Sequence, residues 1–533
     1  MATIHQYDKR SGITYAYESI SYWDKDKQQS RSKRTLIGRV DTETGRIVAT
    51  DGRCRRKEKA AMEGSPTPVT ECKRLFYGAT YLLSAIGEKL GIINDLKSCF
   101  PDTYEQILSI AYYLILEDNN PLSRFEKWSD LHEHPYGKAL SSQRSSELFA
   151  SITEEARIRF FKLQGKRRSE KEYWAYDIST FSSYSETLKL VQYGYNKEHD
   201  HLPQLNLALL FGEESGLPFY YRKLAGNIPD SKTVVNLLAD LSVLGFKKVK
   251  LIMDRGFYKE ANINDLYKEH LKFLVAAKTS LSFIRKEIDQ VYDEIRMFDH
   301  YNQDHNVYGY TVASRWEYSQ QRPYKGDILK EKRRIYIHLY YNIDKAAEDE
   351  RNMDILLATL RDELQTGKRK DTHEKLYNKY FEIKATPKRG LQITAKKDAI
   401  QKAKRYYGFF ALLSNQKMDA LTALSLYRAK DIIEKAFGNL KERLNMRRFL
   451  VSSEKSLDGK LFVEFVALIF LSYINKQMHS EKMYKDYTLQ GALDKLDVIE
   501  CFKYPERKLR VGEVLEKQRA IYTNLGVLPP SSL

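Results

Sequence analysis

Between Asp230 and Ala277 the apolar residues alternate between two periods, and this alternation restricts the fold more than any other feature of the chain. "DSKTVVNLLADLSVLGF" (230–246) has an Asp/Ser start and apolar residues at helical spacing. "KKVKLIMD" then reads as a strand, "KEANINDLYKEH" as a helix and "LKFLVAA" as a second strand. Upstream, "YWAYDISTFS" reads as a strand, and "LNLALLF" and "LPFYYRKLAG", joined by Glu213-Glu214-Ser215-Gly216, as a hairpin. Three strands followed by helix, strand, helix, strand predict an α/β fold with a mixed sheet.

The 533 residues exceed one ordinary core, so roughly two to four structural units are expected. Residues 1–70 read as a β-hairpin region, with the turn Asp41-Thr42-Glu43-Thr44-Gly45, followed by a basic linker. Residues 71–170 are helical in period, with Ser141 or Ser142 a candidate cap, and are a candidate DNA-binding domain. The α/β core occupies 171–280 and resumes at 401–480. A β-rich stretch with one charged helix, 281–400, interrupts it. A long helix is expected from about Asp419 to Arg443, and 481–533 reads as a helical tail.

No run is long enough to span a membrane, and the N-terminus lacks the apolar segment of a secretory signal. Cys54, Cys72, Cys99 and Cys501 are scattered without zinc spacing, which fits a reducing cytoplasm. The net charge of +17 points either to a polyanionic partner or to plain lysine richness. Clusters at Arg53–Lys57, Lys166–Arg168, Lys368–Lys370 and Arg447–Arg448 favour nucleic acid.

Two strands carry isolated acids, Asp177 in "AYDIST" and Asp254 in "LIMDRG". An acid among apolar strand residues is costly unless paired or metal-bound. Each alone is also explained by a helix cap or by pairing with a neighbour such as Arg255. In "YRAKDIIEKAFGNLK", however, Tyr427, Lys430, Glu434 and Lys441 fall within about 60° of one another on an ideal helix, a narrow polar stripe. Three carboxylates from two strands and one helix suit a hard divalent cation that keeps positions open for water and phosphate.

Tyr427-x2-Lys430-x3-Glu434-x6-Lys441 matches three of four positions in the Tyr-x2-Arg-x3-Glu-x6-Lys signature of DDE transposases of the bacterial insertion-sequence family four, which the chain resembles. "YDIST" and "MDRGF" resemble that family's two Asp motifs, and "GYNKEHD" and "GNIPDSKT" its intervening blocks. The resemblance implies an RNase H-like (retroviral-integrase-like) core in which Asp177, Asp254 and Glu434 bind two Mg²⁺, or Mn²⁺, and are catalytic. It also implies a β-rich subdomain inserted between the second Asp and the Glu.

The implied activity is cut-and-paste transposition, with strand transfer and a hairpin-end route. The implied partners are double-stranded terminal inverted repeats and target DNA, bound by a homodimer in the bacterial cytoplasm at the nucleoid. A stand-alone Mg²⁺-dependent nuclease and a domesticated, non-catalytic DNA-binding protein are the alternatives. Lys430 departs from the family's Arg: it keeps the charge and loses the planar fork. Tyr427, Lys430 and Lys441 are candidate DNA contacts. Trp316 is a candidate base-stacking residue, with packing as the competing reading. The pairs His132/His134 and His199/His201 lack metal-site context and read as surface or loop histidines.

Overall fold

The structure is a computed structural model. It describes residues 2–24, 29–49, 72–118, 120–167, 172–185, 187–197, 201–321, 326–386, 390–444, 448–449, 451, 453–505 and 507–531. The chain divides into two compact units, Met1–Glu71 and Cys72–Leu533.

The first unit is a four-stranded antiparallel sheet of Ala2–Asp8, Ile13–Asp24, Gln29–Val40 and Ile47–Val48. The expected Asp41–Gly45 turn joins the last two strands. Thr44 donates to Asp41 at 2.6 Å, and Gly45 takes the left-handed conformation that closes the turn.

The second unit is built on a ten-stranded mixed sheet. Its centre is three parallel strands, Tyr173–Ser183, Lys250–Met253 and Lys272–Ala277, with Lys250–Met253 in the middle. Antiparallel strands extend it on both sides: Gln204–Gly212 and Pro218–Ala225 beyond Tyr173–Ser183, and Phe409–Ser414 beyond Lys272–Ala277.

Alternation along Tyr173–Ser183 divides the core. Tyr173, Ala175 and Phe181 join one apolar cluster, whereas Trp174, Tyr176 and Ile178 join another on the opposite face. The helices Val234–Leu244, Glu260–Lys268 and Ser282–Val291 cover the second face. The first is covered by Glu454–Ser480, whose residues from Leu461 to Ile474 are all buried, as expected of a helix apolar on every side.

Several boundaries differ from the sequence expectations. Within 281–400, the strands Val307–Gln321 and Ile328–Tyr341 belong to the main sheet, because Tyr336–Tyr341 pair with Phe409–Ser414. What stands outside the sheet runs from Ile343 to Lys404 and is mostly helical. It contains Ile343–Gln365, Glu374–Tyr380, Lys397–Lys404 and one short hairpin, around a small core that includes Leu360, Leu364 and Tyr377.

The helices of 78–167 pack on Glu454–Ser480 in one continuous core rather than around a core of their own. The C-terminal segment holds helices, Leu489–Asp497 and Glu516–Asn524, as expected, and also a strand: Glu500–Lys503 pairs with Lys73–Phe76 and with Arg510–Val511. Ser141 accepts from the Arg144 amide and caps Ser142–Ser151, as one of the two expected serines.

His132 and His134 are buried, not surface residues. His132 stacks on Trp128 and its Nε2 meets Asp497 at 3.0 Å; His134 pairs with the Ser109 hydroxyl, and burial pulls its pKa down to about 4. His199 lies outside the described residues. No helix among the described residues is long and apolar enough to cross a membrane.

Candidate active site

Tyr176 pairs with Met253 across two neighbouring parallel strands, so the residues that follow them, Asp177 and Asp254, emerge side by side. Asp177 is odd-numbered on its strand and therefore faces the side carrying Glu454–Ser480 and the helices near residue 430. Asp254 ends its strand and opens a short 3-10 turn, Arg255–Phe257, whose first amide donates to Asp254 Oδ1 at 2.7 Å.

The long helix expected over 419–443 is three pieces. Ala420–Arg428 is α-helical and capped by Asp419, Asp431–Gly438 is α-helical, and Asn439–Arg443 is a π-turn. At the first junction the bonds are one residue tighter, Lys430 N to Tyr427 O and Ile433 N to Lys430 O. This places Lys430 at the break, buried, rather than on an exposed stripe.

The Lys430 ammonium stands among all three acids, 3.4 Å from Glu434 Oε1, 3.7 Å from Asp254 Oδ2 and 3.9 Å from Asp177 Oδ2. Tyr427 donates to Asp254 Oδ1 at 2.6 Å. Burial pushes the Asp177 carboxyl above its ordinary pKa, and the nearby Lys430 and Lys197 charges offset this only in part. Burial acts the same way on Asp254, but there Tyr427, Lys430 and Arg255 outweigh it and hold the pKa below the usual value. Burial disfavours the charged Lys430, and the three carboxylates more than compensate, leaving its pKa raised.

Asp177, Asp254 and Glu434 line a cleft of about 870 Å³ together with Lys197, Arg255, Lys278 and Lys441. Lys197 donates to the Ile178 carbonyl at 2.6 Å and pairs with Asp230 at 3.2 Å. Lys441 lies over the Phe181 ring. A second cleft of about 710 Å³ shares Asp254 and Arg255 with the first and is also lined by Tyr427, Arg285, Lys379 and Lys402.

Of the residues expected at the site, Asp177, Asp254, Glu434, Tyr427, Lys430 and Lys441 come together here. Trp316 does not. It is buried in the second core, donates from Nε1 to Asn264 at 2.8 Å and meets Phe283 edge-on, so no face is free to stack on a base. The basic clusters are also partly structural: Arg167 pairs with Asp95, Arg369 with Glu374 and Lys370 with Glu363. Arg53–Lys57, Arg168 and Arg447 lie outside the described residues.

Lys197, Asp230 and Lys278 also line the cleft, although none of them was among the residues expected there. The first two sit in the blocks "GYNKEHD" and "GNIPDSKT". Lys278 follows its parallel strand as Asp254 follows the neighbouring one, and that position was the available signal.

Among the described residues, no group of His, Cys, Asp and Glu side chains is drawn together closely enough to hold a metal ion. The donor set nevertheless fits one: three hard carboxylate groups already turned toward a single cationic centre.

Two acids on adjacent strands and a third on a helix thus face one buried cation, and the same three acids line a basic cleft. The family described as "Transposase DDE domain" matches residues 177–470, more than half of the chain and a span that includes all three acids, and the chain belongs to that family. Among solved structures, the chain is similar to a piggyBac transposase seen by cryo-electron microscopy in a synaptic complex with hairpin DNA. The identity is 10%, with 84% of this chain and 77% of that chain covered and a TM-score of 0.35. No curated protein matches the chain.

Proposed function

We propose that this transposase performs cut-and-paste transposition, cleaving DNA at the ends of its mobile element and joining the freed ends to target DNA. The observation that carries the reading is the convergence of Asp177, Asp254 and Glu434 on one cationic centre, walled by Lys197, Arg255, Lys278 and Lys441.

Asp177, Asp254 and Glu434 would hold two Mg²⁺ ions, or Mn²⁺. When bound, such ions activate an attacking oxygen and stabilise the leaving one. Tyr427 orients the Asp254 carboxylate. The cleft lysines and Arg255 neutralise and position the phosphate backbone. In the first step water displaces the 3′-oxygen of a phosphodiester. In the second the freed 3′-hydroxyl attacks another phosphodiester, exchanging one such bond for another without an external energy source. When that bond lies in the opposite strand, the product is a hairpin end. End recognition is assigned mainly to residues 1–170, acting within the intact chain, and catalysis to a homodimer on paired ends.

The test is cleavage of a labelled duplex carrying the inverted repeat that flanks the gene. The parent should cleave it in Mg²⁺. Asp177→Asn, Asp254→Asn and Glu434→Gln should each abolish cleavage while leaving binding largely intact. Retained cleavage by any variant removes that residue from the site. Flanking DNA without inverted repeats, together with cleavage indifferent to sequence, would replace transposition by a stand-alone nuclease.

A further inference from the structure

Lys430 is placed unusually for a residue expected to grip phosphate. Its side chain is only 5% exposed, and its ammonium is committed to no single acid. The contact with Glu434, 3.4 Å, is at the outer limit of a hydrogen bond, and the two aspartates stand off at 3.7 and 3.9 Å. A lysine paired with one carboxylate sits nearer about 2.8 Å. Near-equal spacing from three anionic oxygens is the position of a shared counter-ion.

Divalent cations held by these carboxylates would claim the oxygens that the ammonium now shares, so ammonium and metal would compete for one set of ligands. We infer that Lys430 is a placeholder: its ammonium holds the cation position while the protein is metal-free and must withdraw as divalent cations load.

The inference rests on the metal-binding reading above and adds a role for this chain's lysine toward the metal. Without a central charge, buried Asp177, neighbouring Asp254 and Glu434 would repel one another. Lysine suits the task better than arginine, being a compact charge on a flexible stem, whereas a planar fork would keep more bonds to the acids. Glu434 is exposed and one helical turn on, so withdrawal toward it leads into the cleft.

The experiment uses the full chain without DNA and Mn²⁺ alone as probe, with affinity read by calorimetry and by the electron-spin-resonance signal of free Mn²⁺. Lys430→Met removes the competing charge but keeps a long unbranched side chain. It should tighten Mn²⁺ binding by roughly tenfold or more, a modest share of the interaction between unit charges at this separation. Lys430→Arg should weaken it. In EDTA, Lys430→Met should unfold at a lower temperature than the parent, and added Mn²⁺ should raise its midpoint by more.

Mn²⁺ binding that survives Asp254→Asn overturns this inference together with the metal-binding reading. Binding lost in Asp254→Asn but unchanged or weaker in Lys430→Met overturns the placeholder role alone. Should Lys430→Met fail to fold, Lys430→Arg decides: affinity equal to or tighter than the parent's rejects the inference.

Discussion

The Tyr427 hydroxyl donates to Oδ1 of Asp254 at 2.6 Å, while Oδ2 of the same carboxylate faces the Lys430 ammonium at 3.7 Å. One oxygen is thus held and the other presented. The holding bond is charge-assisted, a type that contributes about 1.5–3 kcal/mol. We predict that Tyr427→Phe slows single-turnover cleavage by roughly tenfold to a hundredfold, if that contribution is expressed in the transition state. A variant as fast as the parent would mean that Asp254 needs no such support.

Lys278 follows the strand Lys272–Ala277 and lines the cleft beside Asp254. If it meets a phosphate there, Lys278→Ala should weaken binding to all DNA sequences alike. The slope of log affinity against log salt should also become shallower by about one unit. Equal slopes in a salt titration would place Lys278 outside the DNA path.

Glu464 is fully buried in the helix Glu454–Ser480, with the nearest cation, Lys460, 3.7 Å away and so beyond a hydrogen bond. Burial raises its pKa from 4.5 to about 7, and Lys460 opposes this only in part. Between those values the folded chain keeps a proton that the unfolded chain releases. Stability from this group is therefore full below pH 4.5 and is lost as pH rises through about 7, by about 3 kcal/mol. Glu464→Gln should unfold at a higher temperature than the parent at pH 8, and the gap should close toward pH 4.5. Midpoints that run parallel over this range would show that Glu464 does not titrate there.

Trp316 separates packing from recognition. Trp316→Ala should destabilise the fold by about 3–5 kcal/mol, as expected when a large buried aromatic is removed. Trp316→Phe should cost less while losing the bond to Asn264. At temperatures where both variants are folded, affinity for end DNA should stay within about twofold of the parent in a filter-binding or anisotropy titration. A selective loss of DNA affinity without loss of stability would return Trp316 to the binding surface.

The strand-borne acids are legible in the sequence because each interrupts an apolar run, and such an interruption has few cheap explanations. The polar stripe from Tyr427 to Lys441 is legible for a partly accidental reason. An ideal helix brings these residues together, and the real chain does so through a break. Nothing in "YRAKDIIEK" marks Ala429–Lys430 as the junction: the tightened bonds arise where two helices settle on the sheet, a tertiary effect.

The same holds for Ile328–Tyr341. Its β character is visible, but its partner, Phe409–Ser414, lies beyond the helical insertion, so local pattern alone cannot assign it to the main sheet. The histidines His132 and His134 show the converse. Polar neighbours in "DLHEHP" suggest a surface, whereas Trp128 and Ser109 enclose them from other elements.

The pairing of Lys73–Phe76 with Glu500–Lys503 has a consequence for how the protein is made. During synthesis the early strand waits for a partner more than four hundred positions downstream, and the first helices wait for Glu454–Ser480 to cover them. Until then their apolar sides are open to chaperones, proteases and one another. A message that stops before codon 500 would therefore yield an unfinished polypeptide destined for clearance, not a smaller working enzyme.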